Sequence, residues 1–148
     1  MIVLDTNVIS ELWKVEPNPD VLAWIDAQAV ETLYLSAIIV AELRYGLTAM
    51  PEGKRRTIYQ ERLEQEVLPT FAGRVLAFDL DTSRTYADLM ARAEGKAIGN
   101  ADGYIAATAA AHSLMVATRD TSPFEACGLE VINPWEHRHE AMRAARRL

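Results

Sequence analysis

Short apolar runs alternating with longer helix-forming stretches are what most constrain this chain. The first run, Ile2–Leu4, begins at the second residue and stops at a carboxylate, Asp5. Others fall at Leu33–Leu35, Arg74–Phe78, Leu114–Ala117 and Glu130–Ile132. Runs this brief and this continuous read as strands buried on both faces, as in parallel sheets covered by helices. The stretches between them carry helical patterns. Val8–Leu12 reads as a short helix, and Asp20–Gln28 as a longer one with Val21, Leu22 and Ile25 on one face. Ser36 can cap a helix from Ala37 to about Ala49, striped by Ile38, Ile39, Leu43 and Leu47. Arg55–Leu68 reads as a charged amphipathic helix ended by Pro69, and Ser83–Ala93 as another helix. Glu94–Asn100 reads as a loop, Ala101–His112 as an alanine-rich helix, and Asn133-Pro134 ends the last strand.

Strands separated by helices need right-handed crossovers, which give a parallel sheet with helices on both faces. The expected fold is therefore α/β, a three-layer α/β/α domain with a mostly five-stranded parallel sheet in the order 3-2-1-4-5. The 148 residues suit one domain with a core, expected over residues 1–135, followed by a basic tail at 136–148. That tail, His137–Leu148, is helix-prone and can dock, fray or meet a partner. A formal net charge of −6 argues against a protein that coats nucleic acid by charge alone. The single cysteine, Cys127, allows no intramolecular disulfide and fits a reducing compartment. There is no basic, apolar leader pattern and no apolar run of membrane-spanning length, so a cytoplasmic location is expected.

Four acids lie where folding alone does not require them. Asp5 ends the first strand, Glu42 interrupts an apolar-striped helix, Asp102 opens the alanine-rich helix, and Asp120 follows the fourth strand. In the order 3-2-1-4-5, strands 1 and 4 are neighbours and the winding reverses between them, opening a crevice at their carboxyl ends. Asp5 and Asp120 would face each other there. The helix carrying Asp102 runs antiparallel to the strands, so it begins at the same edge, as does the helix carrying Glu42. Clustered carboxylates raise one another's pKa unless a cation relieves them. An all-oxygen set favours Mg²⁺ or Mn²⁺ over zinc, and such an ion supports displacement at phosphorus. Each acid also has a plainer role open to it. Asp102 suits a helix dipole, Asp120 a turn, Glu42 a solvated face or ion pair, and Asp5 a cap.

The segments IVLDTNVISEL, LSAIIVAELRYGL, ADGYIAATAAAHSLMVATRD and NPW resemble PIN-domain ribonucleases, and more narrowly VapC-type toxins of toxin–antitoxin pairs. ERLEQEVLP and FAGRVLAFD place the resemblance in the FitB-like branch. It runs to about Trp135 and leaves the tail outside. The resemblance implies a Mg²⁺- or Mn²⁺-dependent endoribonuclease with metal-site acids at Asp5, Glu42, Asp102 and Asp120, leaving 5′-phosphate and 3′-hydroxyl ends. Thr6, Asn7 and Thr118 match polar positions near the family's site, with Thr118 orienting a carboxylate or water. Arg119 is a candidate either for phosphate or for a structural acid. Where many members carry an acid a few residues later, this chain has Pro123, so the fourth acid is assigned to Asp120. The resemblance further implies a homodimer, and inhibition by a small DNA-binding antitoxin of ribbon-helix-helix type, through which alone DNA is reached.

Competing readings remain at this point. Asp79-Leu80-Asp81-Thr82 mimics the DxDxT signature of a phosphatase, although it lies mid-chain; Asp81 can instead cap the next helix, with Thr82 and Ser83 as rivals. A regulatory α/β module that binds Mg²⁺ without hydrolysis fits the same acids. His137 and His139 form an isolated HxH spacing. Trp13, Trp24 and Trp135 are candidate core or interface anchors, and exposed tryptophans stack on bases. Lys54-Arg55-Arg56 is a candidate contact for RNA backbone or a solvated helix start.

Overall fold

A computed structural model describes residues 1–94, 96 and 98–147, with backbone alone for 139–141. Gly95 and Ala97 of the expected 94–100 loop, the side chain of His139 in the HxH pair, and Leu148 lie outside the described residues.

Five strands form one parallel sheet in the order β3-β2-β1-β4-β5, as the alternation of elements predicts. They are β1 (Ile2–Leu4), β2 (Leu33–Ser36), β3 (Val75–Leu76), β4 (Met115–Ala117) and β5 (Val131–Ile132). Central β1 pairs Val3 with Tyr34 on one side and with Val116 on the other. Val3, Leu35 and Val116 are fully buried, as expected for strands covered on both faces. The third strand is shorter than the expected Arg74–Phe78, because the chain leaves the sheet edge after Leu76. Arg74 instead anchors that edge from outside, its side chain donating to the Leu33 and Thr70 carbonyls.

α1 (Thr6–Leu12) and α2 (Pro19–Asp26) link β1 to β2. α2 turns Val21 and Trp24 inward rather than Leu22, which is exposed; Asn18 caps it and Pro19 starts it. α3 (Ala37–Thr48) begins where Ser36 Oγ accepts the Ile39 amide at 3.1 Å, and it buries Ile39, Val40, Leu43 and Leu47. α4 (Lys54–Arg62) runs into a π-helical turn, Leu63–Val67, and then α5 (Leu68–Thr70). The expected stop at Pro69 does not occur. The wider turn lets the Leu68 amide bond the Leu63 carbonyl, so the chain keeps coiling past a proline that lacks its own N–H.

α6 (Leu80–Arg92) and α7 (Asn100–Ala111) form the crossover from β3 to β4. Asp79, not Asp81, caps α6, with Oδ1 accepting from both the amide and the hydroxyl of Thr82. Gly103 lets α7 close on α6: a β-carbon there would lie 3.0 Å from the Tyr86 ring. The short α8 (Ser122–Ala126), unanticipated from the sequence, packs on α7 and places Phe124 in the core. Right-handed crossovers put α1 to α5 on one face of the sheet and α6 to α8 on the other. The tail forms α9 (His137–Arg146) and docks on α2, with Arg138 Nε 3.0 Å from Asp20 Oδ1. Among the described residues no helix is long and apolar enough to cross a membrane.

Candidate active site

The carboxyl edge of the sheet, where β1 and β4 lie side by side, opens into a cleft of about 440 Å³. Asp5, Thr6, Asn7, Glu42, Asp102 and Asp120 all line it. The winding reverses between these two strands, so no crossover covers their ends. The structure thus gathers all four candidate acids, and two of the three candidate supporting residues, around one opening.

Asp5 is the fixed point. Its own amide bonds the Ala117 carbonyl at 3.0 Å, extending the β1–β4 ladder one step beyond the strand. Its side chain caps α1, Oδ1 accepting the Thr6 amide at 2.8 Å. Oδ2 accepts the Thr118 hydroxyl at 2.8 Å, although the two residues are far apart in sequence. Only 6 % of Asp5 remains exposed. Burial raises its pKa, the bonds from Thr118 and Thr6 oppose this, and the Asp120 charge raises it again.

Thr118 lies behind the wall of the cleft, fully buried, and joins its parts. Besides donating to Asp5, its hydroxyl accepts from Asn7 Nδ2 at 3.2 Å and from the Asp120 amide at 3.1 Å. One hydroxyl therefore ties the end of β1, the start of α1 and the loop after β4 together, with its donor and both lone pairs in use. Glu42 reaches in from α3, and its Oε1 accepts the Thr6 hydroxyl at 2.9 Å. Burial raises its pKa first; Thr6 lowers it and Asp5 raises it.

Asp102, in the first turn of α7, is pushed up to about 6, by burial first and then by the charges of Asp5, Asp120 and Glu42. Asp120 is exposed at the rim. Among the described residues neither the Asp102 nor the Asp120 carboxylate takes part in a hydrogen bond. No group of three or more acidic, histidine or cysteine side chains among those residues closes into a ready-made metal-ligand set.

The donor chemistry nonetheless fits a hard divalent ion. Five carboxylates, the four candidate acids and Glu11, line the cleft, no histidine or cysteine among the described residues does, and Cys127 is buried elsewhere. Lys14 and Arg119, the cations that line the cleft among the described residues, each have a neighbour within the chain. Lys14 Nζ lies 3.0 Å from Glu11 Oε2. The Arg119 guanidinium lies 5.5 Å from the centre of the Trp135 ring. Arg119 thus stacks on an aromatic ring, which neither of its sequence-based roles foresaw.

Glu11 is a cleft residue that the sequence did not single out, and Trp135, a candidate core or interface anchor, lines the cleft beside it. Glu11 is only 5 % exposed, and its Oε1 accepts from the Trp135 indole at 3.2 Å. Burial opposes its charge, but hydrogen bonds from Lys14 and Trp135, with the charges of Lys14 and Arg119, bring its pKa below the usual value. An acid between Ile9 and Leu12 with a lysine three residues on was the available signal. Asp79, the first acid of the phosphatase-like run, is committed to the α6 cap at the end of β3 and does not line the cleft.

Comparison with known proteins agrees with this architecture. The PIN domain family profile matches residues 2–129. The chain is 78% identical over 138 residues to VapC ribonuclease Y4jK of Sinorhizobium fredii, covering 92% of this chain and 99% of that protein. It is 54% identical over 137 residues to toxin FitB of Neisseria gonorrhoeae, covering 91% of this chain and 99% of that one. The structure of FitAB bound to an IR36 DNA fragment superposes with a TM-score of 0.88 at 52% identity, over 91% of this chain and 96% of that one. The chain belongs to the PIN-domain family, in the branch that holds VapC and FitB.

Proposed function

We propose that this chain is a Mg²⁺- or Mn²⁺-dependent endoribonuclease and the toxin half of a toxin–antitoxin pair. The observation that carries the reading is the convergence of Asp5, Glu42, Asp102 and Asp120 on one cleft, where the other three acids help lift Asp102 to a pKa of about 6. Asp5 and Asp102 are the principal metal ligands, with Asp120 and Glu42 assisting. Bound there, the ion neutralises the carboxylates, polarises a phosphate and lowers the pKa of water. Thr118 and the Thr6 amide hold both oxygens of Asp5 in place. Glu42, held through Oε1 by Thr6, keeps Oε2 as an acceptor for a proton from water. Hydrolysis adds water oxygen to phosphorus, breaks the P–O3′ bond and returns a proton to the 3′ oxygen, so no covalent enzyme intermediate is needed.

The relative named VapC ribonuclease supports RNA as substrate, and toxin FitB supports the toxin role. FitAB bound to DNA supports an antitoxin partner that carries the pair to DNA. On this reading the antitoxin is a small ribbon-helix-helix protein. The toxin works as a cytoplasmic homodimer whose PIN domain spans residues 1–135, with residues 136–148 an appended basic tail. The test is cleavage of transfer and messenger RNA by partner-free protein in Mg²⁺, Mn²⁺ or chelator. Cleavage in either metal and none in chelator is expected. Cleavage that survives chelation overturns the metal role. Intact RNA with measurable metal binding favours the non-catalytic module instead.

A further inference from the structure

The acid cleft is poorly suited to holding RNA by itself, since it presents five carboxylates in a chain of net charge −6. A polyanion must be held from beside it. The cleft continues into a groove of about 350 Å³ between α1, α3 and α4, sharing Thr6, Ser10, Lys14 and Glu42 with it. That groove opens into a further one of about 520 Å³. Lys14, Lys54, Arg55 and Arg62 line this outer stretch, and no carboxylate does. Arg55, Tyr59 and Arg62 recur at positions i, i+4 and i+7, one face of α4. Tyr59 stacks on Trp13 with ring centres 5.7 Å apart and planes at 17°. Its hydroxyl donates to the Trp13 carbonyl at 3.2 Å, pinning α4 to the end of α1. The guanidinium carbons of Arg55 and Arg62 lie 5.6 and 5.9 Å from the Tyr59 ring centre.

We propose that this groove is the track for single-stranded RNA entering the acid cleft, with Lys14, Lys54, Arg55 and Arg62 holding phosphates and the Trp13–Tyr59 pair offering a stacking surface for a base. Cations along a groove, interleaved with aromatic rings, are how sequence-tolerant single-strand sites are built. Continuity with the hydrolytic acids favours RNA over a protein partner as the occupant. The substrate class rests on the ribonuclease reading.

The test uses full-length protein carrying Asp5→Asn, so that RNA stays intact, and a labelled unstructured oligoribonucleotide followed by fluorescence anisotropy over a salt series. Adding Arg55→Ala and Arg62→Ala should weaken binding on the order of tenfold. It should also flatten the slope of log affinity against log salt by about 1.4, two phosphate contacts at about 0.7 each. Both arginines are exposed, so the fold tolerates their loss. Arg84→Ala on α6 should change neither quantity. Unchanged affinity and slope in the double variant, with normal cleavage by the wild type, overturn the track, leave the ribonuclease reading standing and assign the cations to a protein partner. Binding that follows the expected losses, with no cleavage by the wild type in any metal, supports the track and overturns the ribonuclease reading. Absence of RNA binding in the parent overturns both.

Discussion

The inner and outer walls of the acid cleft are built differently. Asp5 and Glu42 receive hydrogen bonds from Thr118, the Thr6 amide and the Thr6 hydroxyl, and Asp5 is almost wholly buried. Asp102 and Asp120 lie on a helix start and a loop, the first half-buried like Glu42 and the second exposed, with no such bonds to their carboxylates among the described residues. The inner pair is positioned before anything binds. The outer pair has no such hydrogen bonds among the described residues and would be positioned by what binds. On the proposed reading, a cation would meet two ligands already held by hydrogen bonds and two that are not.

The largest break in this comparison should come from Asp5→Asn. It is expected to lower single-turnover cleavage on the order of 10³-fold with an unchanged circular dichroism spectrum. Asp120→Asn should cost much less, about tenfold. Equal losses at the two positions would contradict the division into fixed and adjustable walls. Next comes the buried hydroxyl. Thr118→Val should weaken Mn²⁺ binding by about 10- to 100-fold, and Thr118→Ser should restore most of it, as read by titration calorimetry. A serine variant as weak as the valine one would mean that shape, not the hydrogen bond, is what matters.

A smaller effect should appear in pH dependence. Without metal, Asp102 stabilises the folded state below its unfolded pKa of 3.8, and that contribution is lost as pH rises through about 6. Asp5 and Glu42 act with the same sign. Denaturation midpoints in chelator should therefore fall across this window, less steeply for Asp102→Asn, and Mg²⁺ should restore stability at the upper end. Parallel curves for parent and variant would show that Asp102 is not the strained group. The smallest effect belongs outside the cleft. Asp79→Ala should lower the melting temperature through loss of the α6 cap and leave cleavage untouched. Lost cleavage in that variant would revive the phosphatase-like reading of Asp79-Leu80-Asp81-Thr82.

Much of the frame was legible because it follows from local pattern. Short apolar runs marked the strands, Ser36 marked the start of α3, and the sheet order is the common doubly wound one expected for such an alternation. Asp5 was legible because a strand that ends at an acid puts that acid at a sheet edge. The cap of α6 was harder, since Asp79 and Asp81 are both good caps and only the path out of β3 decides between them. The Glu11–Trp135 contact was not legible: it joins residues 124 positions apart and exists only after the last turn folds over α1. The groove beside the acids was illegible for the same reason. Lys54 and Arg55 were candidates for RNA backbone or a solvated helix start, and only α4 lying against Trp13 sets them in a groove with Tyr59 and Arg62.

The π-turn at Leu63–Val67 has a consequence for how this surface is aimed. Each residue of an α-helix advances the azimuth of the next by about 100°. An extra residue absorbed in one wide turn therefore sets the rotational phase of α4 against the sheet edge that follows α5. Deleting a single residue within that turn would restore ordinary winding and swing Arg55, Tyr59 and Arg62 about a quarter-turn around the axis. The acids, carried by other elements, would stay where they are. The π-turn would thus be a phase setting between the proposed track and the acids, one that can be reset without touching either surface.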